Sequence, residues 1–442
     1  MKTPICDFVR RYSDSNCTRL HMPGHKGSGV LGIEHLDITE IAGADSLYEA
    51  SGIIAESEMN ASALFGCKTY YSTEGSSQCI RAMLYLVMLR AKKENVRPLI
   101  LATRNAHKTF HSALALLDLD VEWIYGDEKS YLTCNLSASS LAEHLDSMES
   151  MPVAFYVTSP DYLGNILDIR AISEVCRERG VLLLVDNAHG AYLRFLPQSL
   201  HPIDLGADMC CDSAHKTLPV LTGGAYLHLG NMVADELAPF VKDAMLLFGS
   251  TSPSYLILQS LDAANDYLER YDSILAKYLL LVEDLKRRLS SLGWCLCGSE
   301  PLKITLAPKS YGYTGVTLAA MLEEKGIVCE FSDPDFIVFM LTPELGADGL
   351  AKLESTLTSI ERCEAINTRP PEFKEKRRAI SIREALTSPF KILDVEKCLG
   401  RVAAVSNVAC PPAVPIIISG EVIDENAIEC FNYYGIKTIK VI

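Results

Sequence analysis

The chain has 442 residues, 48% of them apolar, enough to bury more than one hydrophobic core, so two domains are expected. Acidic residues outnumber basic ones 56 to 41, for a formal net charge of -15, which opposes binding to nucleic acid or to an anionic membrane surface. The 15 cysteines form no CxxC pair and no closely spaced even framework, the first residues lack the pattern of a signal peptide, and no run approaches the roughly 18 apolar residues of a membrane span, so a cytoplasmic protein is expected.

Near the N-terminus, Gly27-Ser28-Gly29-Val30-Leu31-Gly32 has dinucleotide-type glycine spacing. Pro23 and Gly24 stand where a strand should precede it, so a loop is expected there. After Gly75-Ser76-Ser77, the residues Ile80, Met83, Leu84, Val87 and Met88 recur at helical spacing, which predicts a helix opening at those small residues. From residue 98 to 229 short apolar runs alternate with longer amphipathic ones, the pattern of a largely parallel sheet wrapped by helices. The expected strands are 99–103, 153–158, 181–186, 208–211 and 225–229, several of them apolar enough for burial on both faces.

A periodic stretch over 255–289 predicts a connecting helix or pair of helices ending near Gly293. Beyond it, strand-like runs at 301–307 and 335–341 flank a helical segment at 317–324, which reads as a smaller α+β domain. The run Cys410-Pro411-Pro412-Ala413-Val414-Pro415 forbids regular helix, because each proline fixes φ and removes a donor. The expected organisation is an N-terminal segment at 1–30, a large α/β domain at 31–292 and a small C-terminal domain at 293–442.

The chemistry concentrates at two strand ends. Val181-Leu182-Leu183-Leu184-Val185-Asp186-Asn187-Ala188-His189-Gly190 is a buried strand delivering an acid at its C-terminal end, the edge where ligands bind in open parallel sheets. A later strand ends in Asp212-Ser213-Ala214-His215-Lys216-Thr217, which brings a lysine to the same rim. Pyridoxal phosphate needs a lysine amine for its aldehyde and a carboxylate that keeps its pyridine nitrogen protonated. Lys216 and Asp186 meet that need. The cofactor also needs a phosphate cradle, which a helix N-terminus beginning Gly75-Ser76-Ser77 supplies, with Ser213 adding a hydroxyl. His107, after the strand at 99–103, is placed to stack on the ring. His21 and His25, like His107 and His111, have the i,i+4 spacing of zinc ligands. Neither pair has a glutamate beside its first histidine, and Pro23-Gly24 breaks the first pair's helix, so no metal site is expected.

The segments His21-Met22-Pro23-Gly24-His25-Lys26-Gly27, Ser72-Thr73-Glu74-Gly75-Ser76-Ser77, Arg104-Asn105-Ala106-His107-Lys108 and Ser213-Ala214-His215-Lys216-Thr217-Leu218-Pro219 resemble the orn/lys/arg decarboxylase family. With Thr251-Ser252-Pro253 and the stretch from Pro411-Pro412 to Gly420-Glu421, the similarity spans nearly the whole chain. The resemblance implies an aspartate-aminotransferase-like α/β fold, a mainly parallel large domain plus a smaller C-terminal α+β domain, in a short form without the family's N-terminal receiver-like domain. It implies pyridoxal 5'-phosphate as cofactor, held by Lys216, with Asp186 on the ring nitrogen, His107 stacked on the ring and His215 beside the lysine. Gly75, Ser76, Ser77 and Ser213 would hold the phosphate, and Ala188 and His189 would adjoin the cofactor. Ser250, Thr251 and Ser252 would reach the phosphate of a neighbouring subunit, implying a homodimer or higher homo-oligomer with a shared site. Glu330 and Asp333 match an acidic pair that meets a substrate's distal amine.

The implied reaction is decarboxylation of arginine, lysine or ornithine, of use in polyamine biosynthesis. Asn187 stands where the family usually has Glu, and Glu74 where Asn is frequent, which bears on substrate and assembly and leaves the cofactor residues intact. Two other readings fit the residues: an aminotransferase or lyase on the same fold, which would typically grip the α-carboxylate with an arginine, and a non-catalytic cofactor-binding regulator.

Overall fold

The structure, a computed structural model, describes residues 1–126, 130–405 and 412–442. Its strands in chain order are β1 (Lys68–Ser72), β2 (Leu99–Thr103), β3 (Asp120–Ile124), β4 (Ala154–Thr158), β5 (Leu182–Asp186), β6 (Met209–Asp212), β7 (Ala225–Leu229), β8 (Leu296–Cys297), β9 (Lys303–Leu306), β10 (Phe331–Ser332), β11 (Ile337–Met340), β12 (Lys391–Asp394) and β13 (Thr438–Val441). The chain divides into two compact units that interleave along the sequence, one of residues 1–96 and 176–275, the other of 97–175 and 276–442.

In the first unit the strand order is β1-β7-β6-β5. β5 and β6 are parallel, and β7 runs antiparallel to both of its neighbours. Every residue of β5, β6 and β7 is buried, as apolar runs without alternation require when both faces of a sheet are covered. The helix Ser76–Lys93 buries Ile80, Met83, Leu84 and Val87 and ends in Arg90, Lys92 and Lys93, cations that suit the negative end of the helix dipole. The expected connecting helix or pair of helices is a pair, Tyr255–Leu268 and Tyr271–Ser291. The segment from Gly27 to Gly32 is loop, as its flanking proline and glycine require.

In the second unit β4-β2-β3 form a parallel set, and β10-β11-β9-β8 form a separate antiparallel sheet. The helix Gly315–Glu323 precedes β10 and β11. A core of Phe331, Val338, Ile416, Ile417, Phe431 and Ile439 joins this sheet to the C-terminal segment. Pro412 to Pro415 is without regular structure, while Cys410 and Pro411 lie outside the described residues. The result is an α/β fold with a mainly parallel main sheet and a smaller antiparallel C-terminal sheet. No helix among the described residues is long and apolar enough to cross a membrane.

Candidate active site

Asp186 closes β5 and is 2% exposed. Its Oδ1 accepts from the Ala188 N–H at 3.3 Å and from the Cys211 thiol at 3.7 Å. Because β5 and β6 are parallel, with Asp186 opposite Cys211, the turn after β6 leaves the sheet at the edge where Asp186 sits. That turn is the short helix Ala214–Thr217, which carries His215 and Lys216.

Three contacts of the first unit organise the turn. Ser213 Oγ donates to Ser76 Oγ at 2.8 Å, tying the lysine loop to the start of the Ser76–Lys93 helix. Lys216 Nζ lies 3.0 Å from His189 Nε2. His215 Nδ1 donates to the Gly224 carbonyl at 3.0 Å. Burial lowers the His215 pKa against the opposing effect of that hydrogen bond, so the imidazole is neutral, with its proton on Nδ1 and Nε2 bare.

The helix start suits an anion. Its N-cap is Gly75, at φ +71°, with no side chain to satisfy the first helical amides. The Gly75 N–H donates to the Gly223 carbonyl at 2.8 Å, and Gly223 is itself at φ +99°, with space for a Cβ only 3.0 Å from the Thr73 carbonyl oxygen. Glycine is required there because the two loops meet backbone to backbone. Ser76, Ser77, Ala188 and Lys216 are half-buried, accessible to a ligand. An amine, a buried carboxylate, hydroxyls and a helix N-terminus are the donor set that pyridoxal phosphate requires, so these residues fit that cofactor. Ser250, Thr251 and Ser252 are exposed, in the loop before the Tyr255–Leu268 helix.

His107 belongs to the second unit, where its Nδ1 accepts from the Thr109 N–H at 3.1 Å and caps the helix Lys108–Leu117. Arg104, three residues earlier, is buried and donates to the carbonyls of Pro415 and Ile416 and to Glu421 Oε2, at 2.9, 3.2 and 3.2 Å. The Lys108 N–H donates to the Ala413 carbonyl at 2.9 Å. Two motif segments far apart in sequence thus form one assembly, a role for Arg104 that the sequence reading missed. Glu330 and Asp333 border different cavities. Asp333 lines one of about 630 Å³ with Tyr131, Phe331, Ile416 and Tyr434. Glu330 lines another of about 570 Å³ and accepts from the Tyr162 hydroxyl at 2.7 Å.

The Asn187 departure has a physical cause. Its Nδ2 donates at 2.7 Å to Asp212 Oδ1, and both residues are fully buried. A glutamate at 187 would bring a second carboxylate to a buried carboxylate.

Comparison with known proteins agrees with this geometry. Residues 3–297 match the family described as Orn/Lys/Arg decarboxylase, major domain. The uncharacterized protein YaaO of Bacillus subtilis is 29% identical across 97% of this chain and 93% of its own length. An arginine decarboxylase of Halalkalibacterium halodurans is 28% identical across 96% of this chain and 92% of its own. The crystal structure of the Francisella novicida lysine decarboxylase LdcF superposes with a TM-score of 0.81 over 100% of this chain and 81% of that one, at 19% identity. With its aspartate-aminotransferase-like fold and a donor set that fits pyridoxal phosphate, the chain belongs to the Orn/Lys/Arg decarboxylase family of pyridoxal-phosphate-dependent decarboxylases.

Proposed function

We propose that the protein decarboxylates a basic amino acid, arginine, lysine or ornithine, to the corresponding amine and CO2 in the cytoplasm, working as a homodimer with shared sites. The observation that carries the chemistry is the parallel pairing of β5 and β6, which delivers Asp186 and the Lys216 turn to one sheet edge beside an uncapped helix start. The relatives named for arginine and lysine decarboxylation support the substrate class. Supply of precursors for polyamines is the corresponding physiological reading.

Pyridoxal phosphate, when bound, supplies a sink for the electron pair left on Cα as CO2 departs. The chain's own residues do the rest. Lys216 presents the amine that would receive the cofactor's aldehyde, and Asp186, which accepts from the Ala188 N–H and the Cys211 thiol, would keep a proton on the ring nitrogen. Gly75, Ser76, Ser77 and Ser213 would bind the phosphate with the helix amides. His107 is the residue assigned to the face of the ring, and Ala188 and His189 would adjoin it. His215 has committed its proton to Gly224, so its bare Nε2 suits receiving a proton, and Lys216 is the donor that returns one to Cα. Ser250, Thr251 and Ser252, exposed in one chain, are assigned to the phosphate of the partner. Asp333 and Glu330 are assigned to the distal cationic end of the substrate, with Asp333 the stronger candidate because it lines the larger cavity.

The test is an absorbance scan of the purified protein, followed by assays for CO2 and for keto-acid product with arginine, lysine and ornithine. A visible cofactor band and CO2 from one of the three are expected. Keto acid without CO2 would move the reaction to transamination. Lys216→Ala should lose the band and at least about 10³-fold in turnover, with its circular dichroism unchanged, and CO2 release at the wild-type rate by that variant would end the assignment.

A further inference from the structure

We propose that His201, Cys210, Asp212 and His228 form a buried binding site for one divalent transition-metal ion of the zinc class, directly beneath the lysine-bearing turn. One nitrogen from each histidine, the Cys210 sulfur and an Asp212 oxygen all lie within 4.8 Å of one another, and all four residues are fully buried. The set comes from three elements. Cys210 and Asp212 are two residues apart on β6 and so share a face, Cys210 is paired with His228 of β7, and His201 arrives from the loop before β6.

The distances suit an ion at the centre. Asp212 Oδ2 is 3.1 Å from His201 Nε2 and 3.1 Å from His228 Nε2, and Cys210 Sγ is 3.9 Å from His201 Nε2. Bond lengths of about 2.0–2.1 Å to nitrogen or oxygen and about 2.3 Å to sulfur give a tetrahedron with edges of roughly 3.3–3.6 Å. Two of these edges must open slightly, and the remaining ones, none longer than 4.8 Å, must close by up to about 1.5 Å, a side-chain adjustment.

Charge and chemistry point the same way. A thiolate and a carboxylate carry two negative charges, which a divalent ion balances with both imidazoles neutral. Binding expels the thiol proton, and each histidine must present Nε2 as a lone pair. The proton of His201 then moves to its own Nδ1, and that of His228 to its Nδ1, where Thr69 Oγ1, 2.9 Å away, accepts it. Asn187 Nδ2 already holds the other Asp212 oxygen. Such partners orient ligands in metal centres. The ring of Phe65 packs over both imidazoles, with centroids at 5.6 and 4.6 Å, which keeps the pocket apolar. A mixed nitrogen, sulfur and oxygen set is chemistry for zinc or its neighbours and unsuited to magnesium or calcium. No ligand is offered for substrate, so the ion's role is to fix the end of β6, whose next residues are Ser213 and the turn carrying Lys216.

The experiment is metal analysis by mass spectrometry on full-length protein purified without chelators, with Cys210→Ala and His201→Gln prepared in parallel. About one zinc per wild-type chain is expected, falling at least about tenfold in both variants. Chelator-stripped wild type should bind cobalt with d–d absorption that Cys210→Ala lacks, and added zinc chloride should raise its melting temperature and leave that of the variants unmoved. If a variant fails to fold, the wild-type stoichiometry and cobalt spectrum decide alone. Wild type with less than about a tenth of an equivalent, and no response to zinc or cobalt, would overturn the site, as would equal metal in wild type and folded variants. None of these readouts depends on decarboxylation.

Discussion

Asp333 combines burial with a cavity. Its Oδ1 accepts from the N–H groups of Asp335 and Phe336 at 2.7 and 2.6 Å, yet burial outweighs them and pushes the carboxyl up to about 6. An unfolded aspartate titrates near 3.9, so between about pH 4 and 6 the folded chain holds a proton that the unfolded chain has released. This contribution to stability is fully present below about pH 4 and is lost as pH rises through 6. Asp333→Asn keeps the acceptor and cannot ionise, so its stability relative to wild type should rise by up to about 3 kcal/mol from pH 4 to 7. Asp161, also pushed up to about 6 by burial, is common to both proteins and cancels in the difference. Urea midpoints across that range measure it, and parallel curves for the two proteins would refute it. At this scale legibility follows locality. Lys216 and Asp186 are readable because Asp186 ends a run of apolar residues and Lys216 sits in the turn just after another, so strand direction sets the sheet edge that each reaches. The Asp212 cluster is not, because Cys210 and His228 meet only through strand pairing and His201 reaches them from a loop.

Elements were legible where burial on both faces left an unbroken apolar run. β2 and β7 fall on the expected residues, β4 and β5 differ by one residue at one end and β6 by one residue at each end, within the fraying of any strand terminus. β1, Lys-Thr-Tyr-Tyr-Ser, and β3, Asp-Val-Glu-Trp-Ile, escaped detection. Each flanks its unit's set of strands and mixes polar with apolar residues, as a strand with only one close neighbour can. The pairing of the motif at Arg104 with the segment ending at Glu421 was equally hidden. Both side chains are 3% exposed, and burial raises the pKa of Glu421 against the opposing charge of Arg104. Arg104→Met takes the cationic donor from two buried carbonyls and from a buried carboxyl that retains the Ile418 N–H, and should cost about 3–5 kcal/mol. Arg104→Met with Glu421→Gln should cost less than the sum of the single changes by about 1–3 kcal/mol. Denaturant unfolding of the four proteins tests this, and additive losses would mean that the pair does not couple. In the Arg104 variant, weakened anchoring of the helix capped by His107 should also appear as faster amide exchange at residues 108–112.

At the scale of the whole molecule, the N-terminal stretch of the chain presents large apolar side chains to solvent. Leu20, Met22, Val30 and Leu31 are 89%, 66%, 99% and 76% exposed, within the N-terminal stretch that includes the His21 to Gly27 motif. Large apolar side chains so fully in water are ones a partner would cover, and in the proposed homodimer that partner is a second copy of the chain. In a two-fold dimer each site would join Lys216 of one subunit to Ser250, Thr251 and Ser252 of the other. Two inactive proteins should therefore repair each other. Lys216→Ala removes the amine from its own site only, whereas the triple change of Ser250, Thr251 and Ser252 to Ala damages the site across the interface. A mixed dimer holds one site with both defects and one with neither. Equal co-expression makes about half of all dimers mixed, so activity should return to about a quarter of wild type, while each parent remains near background. Tandem affinity tags that isolate the mixed dimer should raise this to about half. No recovery in tagged mixed dimers, with both parents folded, would place all of these residues in a site built by one chain, and the exposed apolar stretch would then need a different partner.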